Sequence, residues 1–235
     1  MCEGLLSTRG ETTVIDEMNV DGVSTAEASE ALAAAWELAA FSFRYPTEEL
    51  AQAVASGEWA DAAREVAQAL GLELPEGFGV DAGVADLSAL RVEATRLFVG
   101  SPQPVASPYE GVMRANEDGV QALLFVNPHS MAVERFMKSC GLTRPDGTNE
   151  PLDHVATECE LLEHLALRSL GIAMDEASSL PADENLPGGS SRAAYEAFLA
   201  EHARVWMPGF AASVSVEARL PFYRDAATLL SALVE

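Results

Sequence analysis

Apolar residues recur at helical spacing along most of this chain, and that periodicity limits the folds it can adopt. The segment from Ser24 to Pro46 is the clearest case: Ser24 is followed three residues later by Glu27, as in a helix capping box, and Pro46 ends the pattern. Its apolar side chains repeat every three or four residues, at Leu32, Ala35, Trp36, Ala39, Ala40 and Phe43. No segment sustains the alternation of a strand, and alanine, a strong helix former, is abundant. The sequence therefore predicts an all-α fold.

Glycine and proline divide the following segments into further helices. Residues 47–57 and 58–71 are each predicted to form a short helix that a glycine closes. Residues 87–100 form the next amphipathic helix. Its apolar stripe comprises Leu87, Leu90, Ala94, Leu97 and Phe98.

A proline-rich loop is predicted over residues 101–112, followed by a short helix over 117–125. The helix after it has both of its ends marked. Asn127 is the predicted N-cap because Pro128, which suits the first helical position, comes next, and Gly141 ends the helix.

The chain is long enough for one compact domain built in two parts. Residues 1–23 lack periodicity and are expected to form a disordered tail. Residues 24–148 form the predicted N-terminal helical part, and residues 149–235 form the C-terminal helical part. Within the latter, a polar linker at 172–190 precedes the closing helices.

The net charge of −23, from 37 acidic and 14 basic residues, restricts the partners. This charge repels nucleic-acid phosphates and anionic lipid headgroups, so neither nucleic acid nor stable membrane insertion is expected. The negative electrostatic field favours a basic peptide or protein as partner. The alternative is that the charge serves only to keep the protein soluble. Cys2, Cys140 and Cys159 indicate no disulfide framework, and no signal-peptide-like apolar run begins the chain, so a cytoplasmic location is expected.

Residues 149–166, NEPLDHVATECELLEHLA, place histidines and carboxylates in what otherwise resembles a core helix. Pro151 suits the first helical position, which makes Glu150 the predicted N-cap and Asp153 the third helical residue. Glu163 falls on the core face and is expected to be a buried carboxylate paired with an arginine of another helix. That face comprises Leu152, Val155, Ala156, Cys159, Leu162, Ala166 and Leu170.

A metal or catalytic site in this segment is one alternative. His154 with Glu158, or Glu160 with His164, would each supply two ligands four residues apart, whereas a structural zinc site needs four. A helical metal- or cofactor-binding enzyme using His154, Glu158, Cys159 and His164 therefore remains open as the second hypothesis. Otherwise Glu158 and His164 are expected to lie on a solvated surface. The chain carries none of the common hydrolase, nucleotide-binding or zinc-protease motifs.

Glu150 and Asp153 admit two readings of their own. Carboxylates at a helix N-terminus are favoured by the free backbone N–H groups, so both residues would act as helix caps. An exposed pair of carboxylates beside His154 would also suit a guanidinium, because arginine presents a rigid fork of donors.

An ordered set of motifs resembles the TorD/DmsD/NarJ-like redox-enzyme maturation chaperones. EPLDH at 150–154 is similar to the E-x-P-x-D-H region of that family, with one fewer residue between Glu and Pro. The other similar segments, in chain order, are RYPTEELAQAVASGEW, RLFVG, SPYEGV, VERFMKSCGL, FLAEHARVWMPGFAASV and PFYRDAATLL. The resemblance extends from about residue 30 to the end of the chain.

This resemblance implies a non-enzymatic, cytoplasmic chaperone without a cofactor of its own, built as one TorD-like domain of roughly 9–12 helices. Its implied partner is an apo molybdoenzyme catalytic subunit, bound through its twin-arginine signal peptide, its body or both. The chaperone would assist insertion of the molybdopterin cofactor before export or assembly. The resemblance also permits a homodimer formed by domain swapping.

The resemblance also implies a peptide site. Its residues are Leu97, Phe98, Gly100, Pro108, Tyr109, Glu150, Pro151, Asp153 and His154. The family often carries an aromatic residue three positions before Leu97, where this chain has Ala94. This departure indicates either a groove of different shape or an atypical client, such as one that is not exported.

Overall fold

The computed structural model describes residues 25–100, 103–119, 127–143, 151–171 and 180–235. Across these ranges it contains ten α-helices and no β-strand, which confirms the all-α prediction. The helices are α1 (Thr25–Phe43), α2 (Glu48–Ser56), α3 (Glu58–Leu70), α4 (Leu87–Ala94), α5 (Glu110–Glu117), α6 (Pro128–Ser139), α7 (Val155–Ser169), α8 (Ser191–Phe198), α9 (Arg204–Glu217) and α10 (Pro221–Val234). A π-helical turn, Thr95–Val99, extends α4, and a second one, Leu199–Ala203, joins α8 to α9. The predicted tail at 1–23 lies outside the described residues.

Two helix pairs organise the core: α1 packs along α7, and α9 packs against α10. The alanine-rich face of α1 allows the close approach, and its predicted stripe is buried apart from the half-buried Leu32. Trp36 lies fully buried on this face and donates its indole N–H to the hydroxyl of Tyr195 at 2.9 Å. At the end of α1, Phe43 contacts the edge of Phe210, with ring centroids 5.2 Å apart.

Most helix ends agree with the local sequence signals. Asn127 caps α6, and its side-chain oxygen accepts a hydrogen bond from the His129 backbone N–H at 2.8 Å. Of the helix predicted over 117–125, the structure describes Glu117, which is the last residue of α5, and residues 118–119, which are not helical. Helix α5 lies earlier, beginning inside the predicted proline loop, and a turn follows it at 118–119. Residues 120–126 lie outside the described ranges.

The start of α7 differs from the prediction by four residues. The helix begins at Val155, with His154 as its N-cap, and not at Pro151. Residues 151–153 are held outside the helix because the backbone next to them pairs with the segment before α5. That pairing is an isolated antiparallel bridge between Tyr109 and His154. A contact between such distant segments gives no local sequence signal.

The core stripe of α7 is buried as predicted, apart from the half-buried Leu170. The predicted burial of two polar residues was wrong. Glu158 and His164, expected on a solvated surface, are both buried, with exposures of 0% and 8%. The reason is that α7 is covered by α1 on one side and by α8 on another, while Trp206 of α9 contacts Glu158. The expectation for Glu163 was also wrong: this residue is only half-buried, and Arg44, which lines a cavity together with it, makes its ion pair with Glu160.

Candidate functional site

A cavity of about 570 Å³ opens between the end of α1, the π-helical turn after α4, the segment before α5 and the start of α7. Its wall is largely apolar and aromatic, and its rim carries an ion pair. The lining residues are Phe43, Arg44, Tyr45, Ala94, Phe98, Val99, Pro108, Tyr109, Pro151, Leu152, His154, Ala156, Thr157 and Glu160.

Two backbone hydrogen bonds fix the floor of this cavity. Val155 donates its N–H to the carbonyl oxygen of Pro108 at 2.8 Å, and Glu110 donates its N–H to the carbonyl oxygen of Asp153 at 3.0 Å. The two bonds run in opposite directions, so the segment before α5 and the segment before α7 are held side by side. The residues between the bonded groups therefore face the cavity at a fixed separation.

Asp153 lies beneath this floor and is completely buried. Its Oδ2 atom accepts hydrogen bonds from the Gly111 N–H at 2.9 Å and from the Ser130 hydroxyl at 2.6 Å. Burial raises the pKa of this carboxyl above its ordinary value, although the two hydrogen bonds oppose the rise. Only glycine fits at position 111, because a Cβ atom there would lie 2.2 Å from Ser130 Oγ and 2.9 Å from Asp153 Oδ2.

His154 presents its imidazole to the cavity and also caps α7. Its Nδ1 atom accepts a hydrogen bond from the Ala156 backbone N–H at 3.2 Å, which assigns the ring proton of the neutral form to Nε2. Burial lowers the pKa of His154 to about 4, so the ring is neutral at pH 7. The Tyr109 ring meets it edge to face, with centroids 5.2 Å apart and planes at 74°.

Phe98 forms the apolar wall. Its ring packs against Phe43, Phe210 and Tyr223, with centroid distances of 6.1, 6.0 and 5.5 Å. These contacts anchor the inner side of Phe98 in the core while the ring still borders the cavity. Ala94 lies on the same wall, so the small side chain at that position leaves open space where a larger one would fill it.

A second cavity of about 490 Å³ lies on the other side of this wall. Phe98, Val99 and Tyr109 border both cavities. The second cavity is completed by the segment 103–107 and by Val112, Met113 and Ser213. Val99 is 61% exposed, so an apolar surface continues from one cavity to the other.

Arg44 and Glu160 form the ion pair at the rim. Arg44 Nε donates to Glu160 Oε1 at 2.7 Å, and Arg44 Nη2 contacts the same oxygen. The two side chains are 57% and 36% exposed. Among the described residues that line the cavity, Glu160 is the one acidic side chain, and with His154 neutral Arg44 is the one cation.

A buried polar network supports the site from below. Trp206 donates its indole N–H to Glu158 Oε2 at 2.9 Å. Glu110 is fully buried and contacts Arg114 at 2.5 Å and His202 Nδ1 at 2.9 Å. Burial, and then repulsion by Glu110, raise the pKa of Glu158 well above its ordinary value. The network thus ties α5, α7 and the segment from 202 to 206 together.

Residues 47–212 match the family model of the nitrate reductase delta subunit. This match spans most of the chain and includes the segments that build the cavity floor and Phe98. The chain belongs to the nitrate reductase delta subunit family. The resemblance to redox-enzyme maturation chaperones is therefore confirmed, and the protein is a maturation chaperone for redox enzymes.

A solved structure from Archaeoglobus fulgidus, described as a candidate redox enzyme maturation protein, also matches this delta-subunit family member. The match covers 91% of this chain and 96% of that chain, with 19% sequence identity and a TM-score of 0.47. No curated protein matches the chain.

Five of the nine residues predicted for the peptide site of this delta-subunit family member line the first cavity. They are Phe98, Pro108, Tyr109, Pro151 and His154. Leu97 is buried in the core, and Gly100 turns the chain at φ 56°, where a Cβ atom would lie 2.1 Å from the Gln103 carbonyl oxygen. Asp153 lies below the floor, so the expectation that it is an exposed carboxylate is wrong. Glu150 lies outside the described residues.

Sequence reasoning missed the ion pair at the rim of the first cavity. Arg44 directly follows the apolar stripe of α1, and Glu160 lies on a polar face of α7, so each had a weak local signal. Their pairing spans 116 positions of the chain, which no local pattern reveals.

The described residues contain no ligand set that would support the metal hypothesis. There, no group of three or more His, Cys, Asp or Glu side chains is arranged to hold an ion. Cys140 and Cys159 are both buried free thiols, and Cys2 lies outside the described residues. Within the same ranges, no helix is long and apolar enough to cross a membrane.

Proposed function

We propose that this chaperone binds the twin-arginine signal peptide of an apo molybdoenzyme catalytic subunit in the cytoplasm, and so assists cofactor insertion before export or assembly. The observation that carries the proposal is a cavity with an aromatic and aliphatic wall and a half-buried carboxylate, that of Glu160, at its rim. A twin-arginine signal combines the two matching features, a basic segment followed by an apolar one.

The apolar segment of the peptide has a continuous surface to cover. Phe98, Val99 and Tyr109 border both cavities, so the apolar surface offered to a peptide extends from one cavity to the other. Recognition of this kind places the apolar face of a short helix in a groove. The rings are pre-positioned, because Phe98 is packed into the core and Tyr109 is fixed beside His154.

The basic segment is drawn to the rim by charge. The chain carries a net charge of −23, and a field of this sign steers cationic peptides toward the surface. Glu160 supplies a carboxylate at the place where the cavity meets solvent. Asp153, being buried, supports the site by holding the floor in place.

Calorimetric titration with a synthetic twin-arginine signal peptide tests the proposal. The wild-type protein is expected to bind the peptide, and Val99→Glu is expected to raise Kd about tenfold or more, because a carboxylate in an apolar groove must be desolvated. Val84→Glu is the matched control, since Val84 is 80% exposed and borders neither cavity.

Failure of the wild-type protein to bind the peptide at millimolar concentration would overturn the proposal. Equal losses in Val99→Glu and Val84→Glu would show that the groove does not control binding.

A further inference from the structure

We propose that Arg44 is an internal competitor of the peptide: in the free protein it occupies, on Glu160, the place that a peptide arginine takes in the complex. Glu160 is then the receptor for one signal-peptide guanidinium. This inference rests on the proposed signal-peptide function and assigns the residue that recognises the arginine.

The position of the pair supports an exchange of partners. Arg44 follows the last residue of α1, and Glu160 lies in the second turn of α7, so the pair bridges two helices at the mouth of the cavity. Arg44 is 57% exposed. Exposed ion pairs contribute little to stability, so separating this one costs the protein little.

The geometry of the pair leaves room for a better partner. Both contacting nitrogens of Arg44, Nε and Nη2, reach the same oxygen of Glu160, Oε1. A guanidinium that approaches along the axis of the carboxylate places one N–H on each oxygen, which is the stronger arrangement. A peptide arginine coming from the cavity side is free to adopt it, whereas Arg44 is tethered to the end of α1.

The Arg44 side chain also has an alternative acidic environment close by. Another cavity, of about 450 Å³, lies behind it and is lined by Glu37, Glu49 and Glu163 as well as by Arg44. The other described residues of that lining carry no charge, so three carboxylates face a single cation there. Burial raises the pKa of Glu163 to about 7, and repulsion by Glu37 and then Glu160 adds to the rise, while Arg44 opposes it.

The exchange therefore relieves a local excess of negative charge. When a peptide guanidinium takes Glu160, the released Arg44 side chain can turn toward Glu163 and Glu37. The peptide guanidinium then pairs with Glu160, and the Arg44 guanidinium offsets the charge of Glu163 and Glu37. Binding is favoured both at the rim and behind it.

Peptide binding by four proteins tests the inference: wild type, Arg44→Ala, Glu160→Gln and the double variant. Removing the competitor is expected to lower Kd about three- to fivefold. Removing the receptor carboxylate is expected to raise Kd about tenfold. Arg192→Ala is the control for loss of one positive charge, because Arg192 forms an exposed ion pair with Glu196 on α8, away from the cavity.

The double variant decides between competition and simple repulsion. Competition predicts that, in the Glu160→Gln background, Arg44→Ala gains no more affinity than Arg192→Ala does. A gain that persists undiminished in that background would overturn the inference, because Arg44 would then act on the peptide without Glu160. Unchanged binding by Glu160→Gln would overturn it as well.

Peptides with single Arg→Gln changes complete the design. Glu160→Gln should abolish the affinity difference for one of the two arginines, and that arginine is the one Glu160 receives. If neither difference shrinks, Glu160 is not the receptor, although the signal-peptide function still stands. Absence of binding by the wild-type protein would remove both proposals together, so the two failures are distinguishable.

Discussion

The indole nitrogen of Trp206 donates a 2.9 Å hydrogen bond to Oε2 of Glu158, and both side chains are buried. Burial is the largest cause of the raised pKa of Glu158, followed by repulsion from Glu110, and Asp153 adds to it. The hydrogen bond from Trp206 opposes the rise but does not cancel it. The raised pKa favours the protonated form of Glu158, and the side chain joins α7 to α9 instead of lying on a solvated surface.

Glu158→Gln is expected to retain the stability of the wild type at neutral pH, because the amide is neutral and its oxygen can accept from Trp206. Glu158→Ala should cost about 3 kcal/mol, since it leaves a void and an unsatisfied indole N–H. A group whose folded pKa is raised stabilises the fold below its ordinary pKa of 4.5, and that contribution is lost as pH rises through the raised value.

Urea unfolding of the wild type and of Glu158→Gln from pH 5 to pH 9 measures the effect. The variant should lose less unfolding free energy than the wild type as pH rises. If Glu158→Gln is as unstable as Glu158→Ala, then a neutral amide cannot replace Glu158, and the protonated form is not the one that joins α7 to α9.

Asp153 is predicted to act on peptide binding through the cavity floor. Asp153→Ala leaves the Gly111 N–H and the Ser130 hydroxyl without their acceptor, so it should lower the unfolding free energy by about 2–3 kcal/mol and weaken peptide binding. Asp153→Asn keeps an acceptor oxygen and should resemble the wild type in both thermal melting and titration. A variant Asp153→Asn that folds normally but cannot bind the peptide would instead indicate that the charge itself is required.

Substitution of Gly111 tests how closely the chain packs against Asp153. Gly111→Ala should be destabilising, because the new Cβ atom would lie 2.2 Å from Ser130 Oγ and 2.9 Å from Asp153 Oδ2. Gly209→Ala is a matched control within α9, where the nearest atom to a Cβ is Met113 Cε at 3.9 Å. That change should stabilise the helix by about 0.5–1 kcal/mol. Thermal melting that showed the same shift for both alanines would contradict the close contact at Gly111.

Local sequence signals located the helices whose ends are set by neighbouring residues. Asn127, Pro128 and Gly141 act within one or two turns of α6, so their meaning can be read from the sequence. The order of helices and the core faces of α1 and α7 followed from periodicity for the same reason. The motif resemblance added the family and five residues of the cavity lining.

The features that sequence reasoning missed depend on contacts between distant segments. Helix α7 starts late because the backbone of Val155 and Asp153 pairs with that of Pro108 and Glu110, at the start of α5. Glu158 is buried because a tryptophan 48 positions away covers it. A carboxylate that looks solvated on one helix is assigned correctly only when the neighbours of that helix are known.

His154 is predicted to couple the stability of the fold to mildly acidic pH. Burial lowers its pKa to about 4 from an ordinary value of 6.5, so the neutral ring that caps α7 is favoured in the folded state. This contribution is fully present above pH 6.5 and is lost as pH falls toward 4.

His154→Asn preserves an N-cap oxygen but cannot titrate, so its stability should fall less than that of the wild type between pH 7 and pH 5. His154→Ala should lose about 1 kcal/mol at pH 7 through the missing cap. Urea unfolding at the two pH values measures both effects, with His129→Asn as the control for loss of an imidazole on α6. Identical pH dependence in the wild type and His154→Asn would contradict a ring that is held neutral in the folded state.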